Sequence, residues 1–341
     1  MRNTFLYILA FLLLAGAAWF FLVRENDTVF SSDEAGFTVR DTGSITKIFL
    51  SDHAGSLTLT KTDSGWRVND QYPALPASLH TLFEALHNQM AIGPVPQVAH
   101  NNVIRAMSVS ATKVEIYGAG NRKIRTFFVG NEAADLKNTY MLMEGAKRPY
   151  IVGLRGFDGF LTPRYSPRLY DWRDRTVFNI APDQIRKVDV TYPNNPDASF
   201  TLTAANNNVQ LTPALPSGTP ASNRMRDYLG FFQAVNAESY VNGTDGLDSL
   251  IAVAPSYANF RVTTADGRTQ TANLYWMVAT QRTSVEGSIR INGVRYDPER
   301  QYAVLNGRDT LVVQELLFHK LLQPRTMFYE TANADTTTGT P

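Results

Sequence analysis

The chain contains no cysteine. Disulfides, thiolate nucleophiles, Cys-ligated zinc and Cys-bound iron–sulfur clusters are excluded together. An excess of one charge is missing too, with 32 Lys and Arg against 31 Asp and Glu and no run of five or more like charges. Without a basic footprint, no nucleic-acid partner is expected. No Gly-x-Ser-x-Gly occurs, so there is no nucleophile elbow. The glycine-bearing stretch Gly118–Lys123 lies between two strand-like runs and opens no helix, which makes it a hairpin turn and not a phosphate loop. Histidines number five. His80 and His87 share a face of one predicted helix, but zinc helices favour i, i+4 spacing with a third ligand nearby, so both read as solvated. Neither metal nor cofactor is expected, and no catalytic residue is assigned.

What is present begins with an apolar run. Thr4 to Val23 is 20 residues without a charge, which at about 1.5 Å per residue matches a bilayer core of roughly 30 Å. The run contains a small-residue site at Ala15–Ala17 that could be cut by a signal peptidase, yet it continues through Trp19, Phe20 and Phe21. An uncleaved, single transmembrane helix is the better reading. Arg2 precedes it and Arg24 follows, so flanking charge is nearly balanced. A short leading flank and a large polar body place residues 1–3 in the cytoplasm and the bulk in the periplasm, on the inner membrane. A lipid anchor would need a cysteine.

The rest of the chain says much of itself twice. Hydrophobic residues make up 44%, enough for packed cores, and the length suits two units. SLTLT (56–60) returns as SFTLT (199–203), an offset of 143, and ITKIFL (45–50) returns as IRKVDV (185–190), an offset of 140. WRV (66–68) matches VQL (209–211). Alternating apolar and polar residues predict strands of an antiparallel meander. A helix follows in each half, with Leu79, Leu82, Phe83 and Leu86 behind an expected cap at Ser78, and with Met225, Leu229 and Phe232 behind Ser222. Hairpins are predicted over 113–130 and 259–276. Finally, Val152–Arg164 lies over Val313–Arg325 at a constant offset of 161. The fold class expected is α+β: a transmembrane helix at 4–23, a linker at 24–40, two tandem antiparallel-sheet-plus-helix repeats at 41–163 and 182–330, a connector at 164–181, and a polar tail at 331–341.

The connector mixes aromatics with arginines, the composition of interface hot spots. Arg164, Tyr165, Arg168, Tyr170, Trp172, Arg173 and Arg175 are therefore the candidate interaction surface, the alternative being a linker whose Tyr165, Tyr170 and Trp172 glue the two halves together. Asp171, Asp174 and Asp183 read as surface partners of the neighbouring arginines.

SGWRV (64–68), IYGAGNRKIRTFFVG (116–130), TYMLMEGAKRPYIV (139–152) and LYDWRDRTVF (169–178) resemble the bacterial domain-of-unknown-function family 4340. That resemblance implies a membrane-anchored extracytoplasmic protein, related to domains fused to or encoded beside GldG-type components of ABC transporters tied to gliding motility and export. It supplies no catalytic residue. The expected function is a non-enzymatic interaction module with a protein partner in an envelope transport complex. The alternatives are a two-lobed solute- or glycan-binding protein, and an envelope hydrolase using paired carboxylates.

Overall fold

The computed structural model describes residues 35–205, 208–281, 283 and 288–330. The run read as a transmembrane helix and the tail at 331–341 lie outside the described residues. Among the described residues no helix is long and apolar enough to cross a membrane. The chain divides into two compact units, one ending at Asp174 and the other starting at Arg175. It is a mixture of helix and mostly antiparallel sheet.

The first unit runs β1 (Ile45–Ser51), β2 (Ser56–Thr62), β3 (Gly65–Val68), β4 (Tyr72–Pro73), α1 (Pro76–Asn88), β5 (Gln89–Pro94), α2 (Gln97–Ser110), β6 (Thr112–Gly118), β7 (Arg122–Glu132), β8 (Thr139–Met143), β9 (Tyr150–Leu154) and α3 (Leu169–Trp172). Its sheet has the order β4-β3-β2-β1-β6-β7-β8-β9-β5. Strict alternation sets its two faces. In β6, Val114 and Ile116 are buried while Lys113, Glu115 and Tyr117 point the other way. The chain leaves the β4 edge, crosses the inner face as α1, and rejoins at the opposite edge as β5. Leu79, Leu82, Ala85 and Leu86 of α1 are buried in the main core. Ser78 is not its cap: Pro76 opens the helix, where its missing N–H costs nothing, and Ser78 Oγ donates to the Asp171 carbonyl at 2.8 Å. Ala35, Phe37 and Val39, inside the segment read as linker, are buried in the same core. Phe37 and Tyr165 meet Phe127 edge-on at 6.0 and 5.7 Å.

A 14-residue helix, α2, covers part of the outer face. Val103 and Met107 pack there with Phe128, Tyr140, Leu142 and Ile151 in a second, small core. Gly130 lets the helix come this close. A Cβ on Gly130 would lie 2.9 Å from Met107 Cγ and 3.0 Å from the Tyr140 carbonyl oxygen.

The second unit runs β10 (Thr176–Phe178), β11 (Ile185–Thr191), β12 (Phe200–Ala205), β13 (Asn208–Thr212), α4 (Ser222–Gly230), β14 (Val235–Asn236), β15 (Ser239–Tyr240), α5 (Leu247–Val253), β16 (Ser256–Thr264), β17 (Thr269–Val278), β18 (Ile289–Ile291), β19 (Val294–Leu305), β20 (Asp309–Gln314) and α6 (Glu315–Phe318). The sheet order is β13-β12-β11-β16-β17-β19-β20-β15, with β18 on β19 and a separate β10-β14 pair. Strand for strand, this is the path β3-β2-β1-β6-β7-β8-β9-β5 of the first unit. Even an irregularity recurs: the β1–β6 register shifts between Ile45 and Lys47, and the β11–β16 register between Ile185 and Lys187. Met225, Tyr228 and Leu229 of α4 fill the inner core. Ser222 begins this helix after Ala221 and forms no cap bond. Tyr228 sits among Phe200, Phe232 and Phe328, at 5.6, 5.6 and 5.3 Å.

Candidate functional site

The connector residues are dispersed. Tyr165 is 0% and Trp172 2% exposed. The Tyr165 hydroxyl donates to Gln89 Oε1 at 2.5 Å, and Gln89 Nε2 donates to the Phe37 carbonyl at 2.7 Å. Burial pushes the Tyr165 phenol far above its ordinary range. Trp172 Nε1 donates to the Ser166 carbonyl at 2.6 Å. These two aromatics belong to the core of the first unit and offer no surface, because their polar tips find partners inside. Arg164 lies against the fold as well. It donates to the Thr81 carbonyl at 3.2 Å and Glu84 Oε2 at 3.1 Å, and its guanidinium lies 4.5 Å from the Phe157 ring centroid. Arg173 stacks over Tyr72 at 3.9 Å. Tyr170 is half-buried and Arg168 exposed. Arg175, in the second unit, donates to the Glu238 carbonyl. The segment is thus largely a strap for the first core, and of the seven candidate residues Arg168 alone is exposed.

The outer sheet faces are more distinctive. In the first unit the row Ser51–Lys113–Phe128–Leu142 crosses β1, β6, β7 and β8. Where it runs under α2, a cavity of about 370 Å³ opens, floored by Ile104, Met107, Ala111, Phe128 and Leu142 and edged by Ser51, Asp52, Ser108 and Lys113. Charge continues beside it. Glu115 Oε1 lies 2.8 Å from Lys113 Nζ and 3.4 Å from Lys123 Nζ, both lysines approach Glu144, and the Tyr117 hydroxyl donates to Glu115 Oε2 at 2.9 Å. Lys47 Nζ lies 4.2 Å from the Tyr117 ring centroid. The Lys113 hydrogen bond is the largest cause holding the Glu115 carboxyl below its ordinary value, and it raises Lys113 in turn. Val98 and Val109 of α2 are 93% and 70% exposed.

The corresponding face of the second unit is polar. Asp189–Arg261–Thr271 and Thr191–Asn259–Asn273 are cross-strand rows over β11, β16 and β17. They line a cavity of about 460 Å³ together with Ser256 and Tyr275. Asp189 Oδ1 accepts from Thr201 Oγ1 at 2.7 Å and lies 2.8 Å from Lys187 Nζ. Arg261 faces Asp189 across the strands but has no ion-pair partner among the described residues.

A third cavity, about 760 Å³, brings two carboxylates together with Arg300. Glu238 Oε2 accepts from Arg300 Nε at 2.9 Å and Gln314 Nε2 at 3.0 Å, and those bonds, Gln314 first, hold its carboxyl below the ordinary range. Asp297 accepts from Thr283 Oγ1 and from the Glu299 and Arg300 amides. Among the described residues no group of three or more His, Asp or Glu is placed to hold a metal ion. His80 and His87 are exposed, and His87 Nδ1 lies 2.8 Å from the Arg40 carbonyl. Sequence reading missed both outer-face cavities. The alternating polar set Lys113-Glu115-Tyr117 was a visible signal for one of them.

A family model described as Domain of unknown function (DUF4340) matches residues 66–250, more than half of the chain. No curated protein and no solved structure matches.

Proposed function

We propose, since the chain belongs to the DUF4340 family of domains of unknown function, that it is a membrane-anchored extracytoplasmic recognition module without catalytic activity. Its role in this reading is that of an accessory subunit of an ABC-type transport complex, or of a gliding- or export-related envelope complex. The uncharged run Thr4–Val23 supports a single inner-membrane span with the body in the periplasm. The common strand order and the repeated bulge support a tandem duplication.

The observation that carries the reading is the outer face of the first unit. An apolar cavity bordered by interlocked charges, beside a helix with two outward valines, has the anatomy of a protein interface: a dry anchor pocket inside a polar rim. A partner would seat an aromatic or aliphatic side chain on Phe128 and Leu142. Against a general-acid role for Glu115 or Glu238 stand the donors that hold each carboxyl below its ordinary range, whereas a general acid at neutral pH needs its carboxyl raised.

The test is crosslinking in the native membrane, purification through the full-length chain and identification of what accompanies it. A permease or ATPase subunit recovered with the parent, and lost with Phe128→Asp, is the expected result. Recovery of the same partners with both proteins, or of none under several crosslinking conditions, would overturn the reading.

A further inference from the structure

We propose that the outer face of the second unit is a binding site for a carboxylate-bearing saccharide. Its floor is made of β11, β16 and β17, each paired on both sides within the sheet, so no backbone edge is free to add a peptide strand. Recognition must come from the side chains that stand on it. Asn259, Asn273 and Thr271 bring amide and hydroxyl groups, which both donate and accept, onto adjacent rows. Such groups match the alternating donors and acceptors of vicinal hydroxyls. Tyr275 follows Asn273 by two residues in β17 and so stands on the same side, adding a flat ring with a polar tip.

Charge narrows the class. Asp189 is occupied by Lys187 and Thr201, which leaves that pair neutral. Among the described residues Arg261 is the remaining charge lining the cavity, and its guanidinium has no partner there. A planar fork of donors suits a carboxylate in two-point contact. Phosphorylated ligands are less well served, because Lys187 is already committed and among the described residues no second free cation lines the cavity. A nucleoside would require an apolar slot for its base, and besides Pro193, Phe260 and Tyr275 the lining here is Asn, Thr, Ser, Asp and Arg. At about 460 Å³ the cavity lies within the range of small-ligand sites. This site depends neither on the membrane span nor on the protein-docking face of the first unit.

The experiment uses the full chain in detergent micelles on an array of neutral and uronic-, muramic- and sialic-acid-containing oligosaccharides. The strongest binder is then titrated calorimetrically beside its neutral counterpart. Retention of acidic saccharides is expected. Arg261→Gln should weaken them by about tenfold or more, the loss of a charge-assisted contact, and leave the neutral counterpart unchanged. Tyr275→Leu should weaken both. Both substitutions are on the outward side of the sheet, and unchanged melting curves confirm that the variants fold. Three results would overturn the proposal: no saccharide retained at millimolar concentration, retention indifferent to both substitutions, or competition by acetate equal to that by the saccharide.

Discussion

The two units lay the same strands in the same order, yet the helix between the edge strand and the central hairpin differs. In the first unit that helix is α2, 14 residues long, with Val103 and Met107 seated on the sheet. In the second it is α5, of 7 residues, where Leu247 alone is buried and Val253 is 82% exposed. The sheet positions answer accordingly. Phe128 lies opposite Lys113 in one unit, and Asn273 lies opposite Asn259 at the equivalent place in the other. A face that a helix covers must be apolar to gain from burial, and one left to water can afford amides and hydroxyls. The inner cores, needed by both folds, are alike; the outer faces differ in chemistry.

Core truncations should have the largest effects and treat the units equally. Phe127→Ala and Phe260→Ala, at fully buried positions of the two sheets, should each cost about 3–5 kcal/mol in denaturant titration. A loss below about 1 kcal/mol in either would break the parallel. Met107→Ala should cost about 2–3 kcal/mol, and Val253→Ala, in the matching helix, less than about 0.5 kcal/mol. Equal losses would mean that α5 is seated as firmly as α2. Gly130→Val should destabilise by about 1–3 kcal/mol, since the added atoms meet Met107 and the Tyr140 carbonyl.

The smallest effect concerns charge. Glu115 has its folded-state pKa below the unfolded value, so its contribution is fully present above the ordinary carboxylate range and is lost as pH falls through the lowered value. Lys113 is raised, so its share persists below its ordinary value of 10.5 and fades as pH climbs past the folded one. Glu115→Gln should change stability by less than about 1 kcal/mol at neutral pH and flatten part of the acid limb of the melting curve. An unchanged acid limb would show that the network contributes nothing measurable.

Much of this plan was legible in the sequence. The meander strands announced themselves through period-two alternation, and their return at offsets of 140 to 143 marked the second unit. What escaped was non-local. On α2 only Val103 and Met107 are buried while Val98 and Val109 stand exposed, so its apolar residues do not mark one face. The edge positions of β5 and β15 depend on pairing with β9 and β20, which no local pattern encodes. In the sequence Tyr165 stands between a surface reading and glue between the halves, because its partner, Gln89, is 76 residues away. A buried polar tip is visible only once the fold brings its acceptor near.

Site-specific photocrosslinking tests the difference between the two faces most directly. A photoreactive residue replaces Val109 on α2 or, in a parallel protein, Thr271 on the outer face of the second unit, and both are irradiated in native membranes. Protein adducts from position 109 and none from position 271 are predicted. Adducts of equal yield from both positions, or from 271 alone, would contradict the assignment of protein recognition to the first unit.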